Sequence, residues 1–158
     1  MINLITKPLI RTAKSFQYPL GCLEDDCTYK VTWTQIDNDI EVTVSGMVQD
    51  ESDWIGVGFS ENNVMPQTDI IVGFFDSEGK AVIKDYYAVG YSPPQEDESQ
   101  DIKESTLARK DGLTTMTFKR SISTTDEVMF LIYDLHSCSN FCFNVYFRMM
   151  SIWINLCI

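Results

Sequence analysis

Large and polar residues alternate with period two through the early part of the chain. Tyr29-Lys30-Val31-Thr32-Trp33-Thr34 puts an aromatic or β-branched residue at every second position, the spacing that buries one face of a strand. Asp37-Asn38-Asp39 reads as a turn, and Ile40 to Ser45 alternates again, which predicts a first hairpin. Trp54 to Phe59 is continuously apolar and punctuated by glycine, so it reads as a strand buried on both faces. Asp69 to Phe75 is a second such run, closed by a turn at Asp76 to Gly79, and Ala81 to Tyr87 follows. After the break at Gly90 to Pro94, Ile102 to Arg109 and Leu113 to Ile122 flank Lys110-Asp111-Gly112. Asp-Gly suits turns that need positive φ, so this is a strong hairpin signal. Val128 to Tyr133 is the last predicted strand. No segment sustains a 3.6-residue apolar stripe over three turns, so little helix is expected. The pattern predicts an all-β, antiparallel sandwich or barrel.

Composition fixes the scale and narrows the partners. At 158 residues, 44% hydrophobic and 22% charged, the chain suits one domain with a real core. Its net charge of -11, with no run of Lys or Arg, works against nucleic acid and anionic lipid surfaces. The strand pattern divides the chain into an N-terminal extension (1–21), the domain proper (22–135) and an apolar tail (136–158). Lys7, Pro8 and Arg11 interrupt the start before a signal-like apolar stretch can form. In the tail, Phe141 to Ile158 is apolar but carries Asn144, Arg148 and Asn155. A bilayer span needs about 20 apolar residues, and a central Arg costs roughly 2.5–3.5 kcal/mol on insertion scales. Membrane association could come only through this tail, which does not continue the sandwich pattern.

Five cysteines, Cys22, Cys27, Cys138, Cys142 and Cys157, lie towards the two ends. One or two disulfides with an odd thiol is the plain reading, and it fits an oxidising compartment; the pairing is left open. A zinc site built on Cys138, Cys142 and His136 is the alternative. The acidic stretch Glu96, Asp97, Glu98 and Asp101 reads as a solvated loop, since its oxygen spacing is unlike an EF-hand calcium loop.

The block Trp54-Ile55-Gly56-Val57-Gly58-Phe59-Ser60, followed by Met65 and Asp69-Ile70-Ile71-Val72-Gly73, resembles the DOMON family, named from dopamine β-monooxygenase. Other pieces fall in the family's order. Cys22 with Tyr29 to Trp33 is similar to its opening strand, and Lys84-Asp85-Tyr86-Tyr87 to its Asp-x-Tyr strand. Pro94, Asp97 and Gln100-Asp101 resemble its Pro-x-x-Asp-x-x-Gln-Asp loop. Phe118-Lys119-Arg120, then Thr125-Asp126, resembles its Phe-x-Arg strand and Thr-x-Asp turn. The resemblance covers about Cys22 to Tyr133.

It implies an immunoglobulin-like antiparallel β-sandwich in a secreted or membrane-associated lumenal protein. Some members bind haem b between a methionine and a histidine and pass electrons; others resemble carbohydrate-binding modules or sit beside copper monooxygenase or cytochrome b561 domains. By that resemblance the haem ligands here are Met65 and His136, the chain's single histidine. The plainer readings are a loop-packing methionine and a solvated loop histidine. The family's closing strand and following glycine have no counterpart, since Ser137-Cys138-Ser139-Asn140-Phe141 stands there.

Trp33 and Trp54 read as core anchors, and Gly56 and Gly58 as points of close backbone approach. Arg120 is expected to pair with an acidic side chain of the sandwich. Asp69 and Asp85 could form an acid/base pair, although nothing in the sequence brings their carboxylates together. There is no nucleophile elbow or phosphate loop, and a single histidine is too few for the copper centres of a monooxygenase. The expected function is therefore a non-catalytic module for a small ligand or redox partner, haem b being the cofactor in view. The competing expectations are a cofactor-free interaction domain and a carbohydrate-binding module, for which Tyr86, Tyr87 and Tyr91 would supply the stacking face.

Overall fold

The computed structural model describes residues 13–23, 26–60, 66–122 and 142–147, the last segment as backbone. Its strands are β1 (Lys14–Tyr18), β2 (Tyr29–Ile36), β3 (Asp39–Met47), β4 (Ile55–Ser60) and β5 (Thr68–Phe75). They continue with β6 (Ala81–Ala88), β7 (Gln95–Glu96), β8 (Lys103–Lys110), β9 (Leu113–Ser121) and β10 (Cys142–Phe147). Two five-stranded antiparallel sheets result, ordered β1-β2-β3-β9-β8 and β10-β4-β5-β6-β7. Among the described residues there is no α-helix, as the missing 3.6-residue pattern predicts.

The alternating positions do what their period requires. Val31 and Trp33 of β2, Ile40, Val42 and Val44 of β3, and Met116 and Phe118 of β9 point inward from the first sheet. They meet Ile55, Val57, Phe59 and Ile71 of β4 and β5. Val42 stands opposite Trp33 on one side and Phe118 on the other, so three large side chains form one rung. Each such burial contributes about 1.5–3 kcal/mol.

β4 and β5 are apolar on both faces, which explains their lack of alternation. Their second face carries a separate cluster of Ile70, Val72 and Ala88 with Trp54, Phe74 and Tyr86. Trp54 therefore belongs to this outer cluster, whereas Trp33 is part of the core between the sheets. A Cβ on Gly56 would lie 3.0 Å from the Ile71 carbonyl oxygen and 3.4 Å from the Trp54 ring. Glycine here is what lets the indole lie close against the sheet.

Turn chemistry matches the sequence signals. Asp111 and Gly112 have φ of 51° and 80°, the paired positive values of a two-residue hairpin turn between β8 and β9. Cys22 and Cys27 form a disulfide with Cα atoms 5.2 Å apart, closing the short loop between β1 and β2. It is a local staple; Cys138 and Cys157 lie outside the described residues.

Three strands arise where the sequence offered none. β1 falls within the stretch assigned to the N-terminal extension and pairs with β2 from Lys14 opposite Trp33 to Tyr18 opposite Tyr29. Five residues at a sheet edge, with only Phe16 packed on the core, leave too little periodicity to detect. β7 is two residues of the acidic loop, paired with Tyr86 and Tyr87. β10 lies in the stretch read as a tail outside the sandwich, yet its backbone pairs with all of β4, from Cys142 opposite Ser60 to Phe147 opposite Ile55. The predicted strand at Val128 to Tyr133 lies outside the described residues.

Candidate functional site at one end of the sandwich

One end of the sandwich gathers several strand termini. β4 ends there at Ser60, opposite the start of β10 at Cys142. β5 begins there at Thr68, held through the Thr68–Ala88 pair and the bond from the Gln67 N–H to the Ala88 carbonyl. β9 ends there, with Ser121 opposite Asp39 and the Ile122 N–H donating to the Asn38 carbonyl.

The interior of this end is charged. Arg120 follows Phe118 by two positions on β9 and so faces the same way, into the space between the sheets. Its side chain is 1% exposed, and Nη1 lies 2.7 Å from Oδ2 of Asp69, itself 1% exposed. The guanidinium sits 4.5 Å from the centre of the Phe59 ring, which meets Phe118 edge-to-face at 6.4 Å. Asp69 is opposite Tyr87, and Asp85 is opposite Ile71. The two aspartates are thus diagonal neighbours on one face of adjacent strands, which sets their carboxyl groups side by side.

Asp85 is fully buried. Desolvation is the first cause that pushes its carboxyl up to about 9. The Asp69 carboxyl beside it adds to the rise, Arg120 opposes it, and Asp97 contributes a smaller rise. An acid perturbed this far holds its proton at neutral pH.

The loop after β7 accounts for the position of Asp85. Gln100 accepts from the Asp85 N–H at 2.9 Å and donates through Nε2 to the Asp85 carbonyl at 3.0 Å. The Asp97 N–H donates to the same carbonyl at 3.0 Å. In effect one glutamine side chain replaces a neighbouring strand at this rung. Asp97 Oδ1 accepts from the Ser99 N–H, and Asp101 Oδ2 receives the Ser99 hydroxyl, so these acids shape the turn. Among the described residues no group of three or more His, Cys, Asp or Glu is gathered as a metal site.

The expected pairing of Arg120 with an acid is present, with Asp69 as the partner. Asp69 and Asp85 are brought together, which the sequence alone did not show, but at 1% and 0% exposure neither can meet a substrate. A general acid/base role therefore does not suit them. Met65 and His136 lie outside the described residues. Tyr86 and Tyr87 project to opposite faces of β6, since Tyr86 stands beside Ile70 and Tyr87 beside Asp69. These two tyrosines cannot share one flat stacking face. The sequence reading missed Phe59 as the ring beneath Arg120 and Gln100 as the clamp on Asp85. Their signal lay in motif membership, whereas their partners are set by register across strands.

A buried acid–acid–arginine cluster between two antiparallel sheets, fastened by a Pro-x-x-Asp-x-x-Gln loop, defines a β-sandwich module whose motifs serve structure. The DOMON domain model matches residues 25–145, and the chain belongs to that family. It is similar to the DOMON domain-containing protein FRRS1L of Mus musculus, 32% identical over 81 residues. The human protein of the same name is 31% identical over 81 residues. In both cases the match takes in 51% of this chain but 27% of the relative, so the chain spans about a quarter of those proteins. Among solved structures, the cytochrome domain of Myriococcum thermophilum cellobiose dehydrogenase superposes with a TM-score of 0.48 at 16% identity. That match covers 72% of this chain and 61% of the other. The cytochrome b domain of Coprinopsis cinerea pyranose dehydrogenase gives 0.46 at 14% identity, covering 74% and 62%.

Proposed function

We propose that this chain is a non-catalytic DOMON ligand-binding module that takes its ligand at the Phe59–Arg120 end of the sandwich. Haem b is the ligand of the proposal, held between Met65 and His136, and electron transfer is the role. The observation that supports it is the convergence of strand ends. The segment carrying Met65 leaves β4 at Ser60 and rejoins at Thr68, and the segment carrying His136 leaves β9 at Ser121 and rejoins at Cys142. All four points lie at this one end, tied together by the Ser60–Cys142 pair and the Asp69–Arg120 contact. A thioether and an imidazole suit haem iron and favour its ferrous form, so haem bound there would supply one-electron transfer.

The partner of such a module is a small ligand or a redox protein, and the charge of -11 speaks against nucleic acid. An extracellular or membrane-associated lumenal setting suits the Cys22–Cys27 disulfide. No helix among the described residues is long and apolar enough to cross a membrane.

Titration with haem and visible spectra in both oxidation states test the reading. A sharp reduced α-band of six-coordinate haem is expected, lost in Met65→Ala with folding unchanged. A spectrum no different from free haem, or one unaltered in Met65→Ala, overturns it.

A cofactor-free interaction domain is the second reading, and one observation favours it. Leu20, just before the disulfide, and Leu23, within the loop it closes, are 89% and 76% exposed, at the end remote from Arg120. Apolar side chains displayed on a stapled loop suit contact with a partner protein.

A further inference from the structure

The buried cluster of Asp69, Asp85 and Arg120 holds two acids to one base. Two carboxyl groups and one guanidinium share a space in which all three residues are at most 1% exposed. With both carboxylates ionised these three groups would carry one net negative charge away from water, which is strongly disfavoured. One proton makes it neutral.

Geometry says where that proton sits. Asp69 holds the arginine contact at 2.7 Å. Neither carboxyl oxygen of Asp85 receives an N–H or O–H donor from the described residues. Its diagonal neighbour across the β5–β6 register is Asp69, and two carboxyl groups side by side away from water disfavour a second negative charge, so one of them keeps its proton.

We propose that Asp69, Asp85 and Arg120 form a proton-operated latch between the two sheets. With the proton in place on Asp85, the cluster is neutral and the Phe59–Arg120 end is closed. Its loss leaves a net negative charge between β5, β6 and β9, and this end loosens.

The charged groups acting on Asp85 come from each side of it. Asp69 of β5 and Asp97 of the loop after β7 disfavour ionisation, and Arg120 of β9 favours it. Desolvation outweighs Arg120, so the proton is kept through neutral pH and released near pH 9. Release is a simple ionisation: the O–H bond of Asp85 breaks and hydroxide takes the proton. The latch is independent of haem, and its test uses the protein without added ligand.

Two measurements on the whole chain decide it. Infrared spectroscopy in heavy water reads the C=O stretch of an un-ionised carboxylic acid, which an exposed aspartate does not show at pH 7. The wild type is expected to show this band at pH 7 and lose it in a single ionisation centred near 9. In Asp85→Asn it should be absent at pH 7 and above. Amide hydrogen exchange, corrected for base catalysis, should accelerate at least tenfold in Thr68–Ile71 and Arg120–Ile122 as the band disappears. In Asp85→Asn, whose amide cannot ionise, exchange there should stay level. No acid band in the folded wild type at pH 7 would overturn the proposal even if the variant failed to fold. So would a band that survives in Asp85→Asn, or one lost without faster exchange.

Discussion

Replacing Asp85 by asparagine is the most telling single perturbation of this fold, because its effect must change with pH in a direction that can be worked out beforehand. Asparagine has the shape of the protonated acid and cannot ionise. In the folded wild type, burial beside Asp69 raises the Asp85 carboxyl from 3.8 to about 9. Between those values the folded chain keeps a proton that the unfolded chain has released. Stability therefore falls as pH rises through the window, by about 1.4 kcal/mol for each pH unit. Below the unfolded value the contribution is fully present, and above the folded value no more is lost. Carboxylates outside the cluster tilt the wild-type curve too, but they tilt the variant equally, so the difference between the two isolates the Asp69–Asp85 pair. From pH 5 to pH 8 the variant should gain about 4 kcal/mol on the wild type. Urea unfolding followed by the fluorescence of Trp33 and Trp54 at each pH supplies the curves. Parallel curves, or a variant that loses ground as pH rises, would refute the reasoning and mean that Asp85 is ionised in the fold.

Arg120→Met should cost about 3–5 kcal/mol, since it strands the Asp69 carboxylate without its cation, and adding Asp69→Asn should recover much of the loss. A double-mutant cycle by chemical denaturation gives the coupling, and a coupling near zero would contradict the buried pair. Gly56→Ala should cost about 1–3 kcal/mol by pressing a methyl on the Ile71 carbonyl and displacing Trp54. Thermal unfolding reads that loss, and a blue or red shift of indole emission should accompany it. Converting Cys22 and Cys27 to serine should cost about 2 kcal/mol, because the loop that the disulfide closes is short. A calorimetric scan of the wild type under reducing conditions should reproduce the shift.

The strands easiest to read in the sequence are those whose burial is one-sided. In β3 and β9, and in β2 as far as Thr34, inward and outward positions alternate, and the hydrophobic pattern alone places them within two residues. β4 and β5 were legible for the opposite reason, as short apolar runs bounded by turns. β1 and β10 were not, because among the described residues each is defined by the hydrogen bonds of one neighbour. Backbone pairing of Cys142–Phe147 with β4 leaves no periodic mark on the side chains. The candidate site divides in the same way. The types of Asp69, Asp85 and Arg120 stood out as charges within apolar strands. Their meeting depends on the register of β5 against β6 and on the packing of β9 across the sandwich, which are relations between distant segments.

Among the described residues the first sheet ends on β8, and that edge has a further bearing on the domain's behaviour at high concentration. Between Lys103 and Thr106 its pairing with β9 is interrupted, and Glu104 takes a φ of 43°. Its sequence, Lys103-Glu104-Ser105-Thr106-Leu107-Ala108-Arg109-Lys110, alternates little and carries charge at both ends. A foreign strand laid along it would meet a kinked, irregular row of donors and acceptors and would have to desolvate lysine and glutamate to stay. The edge therefore resists recruitment into extended sheets. Copies of the domain crowded together would find no ready template along this margin.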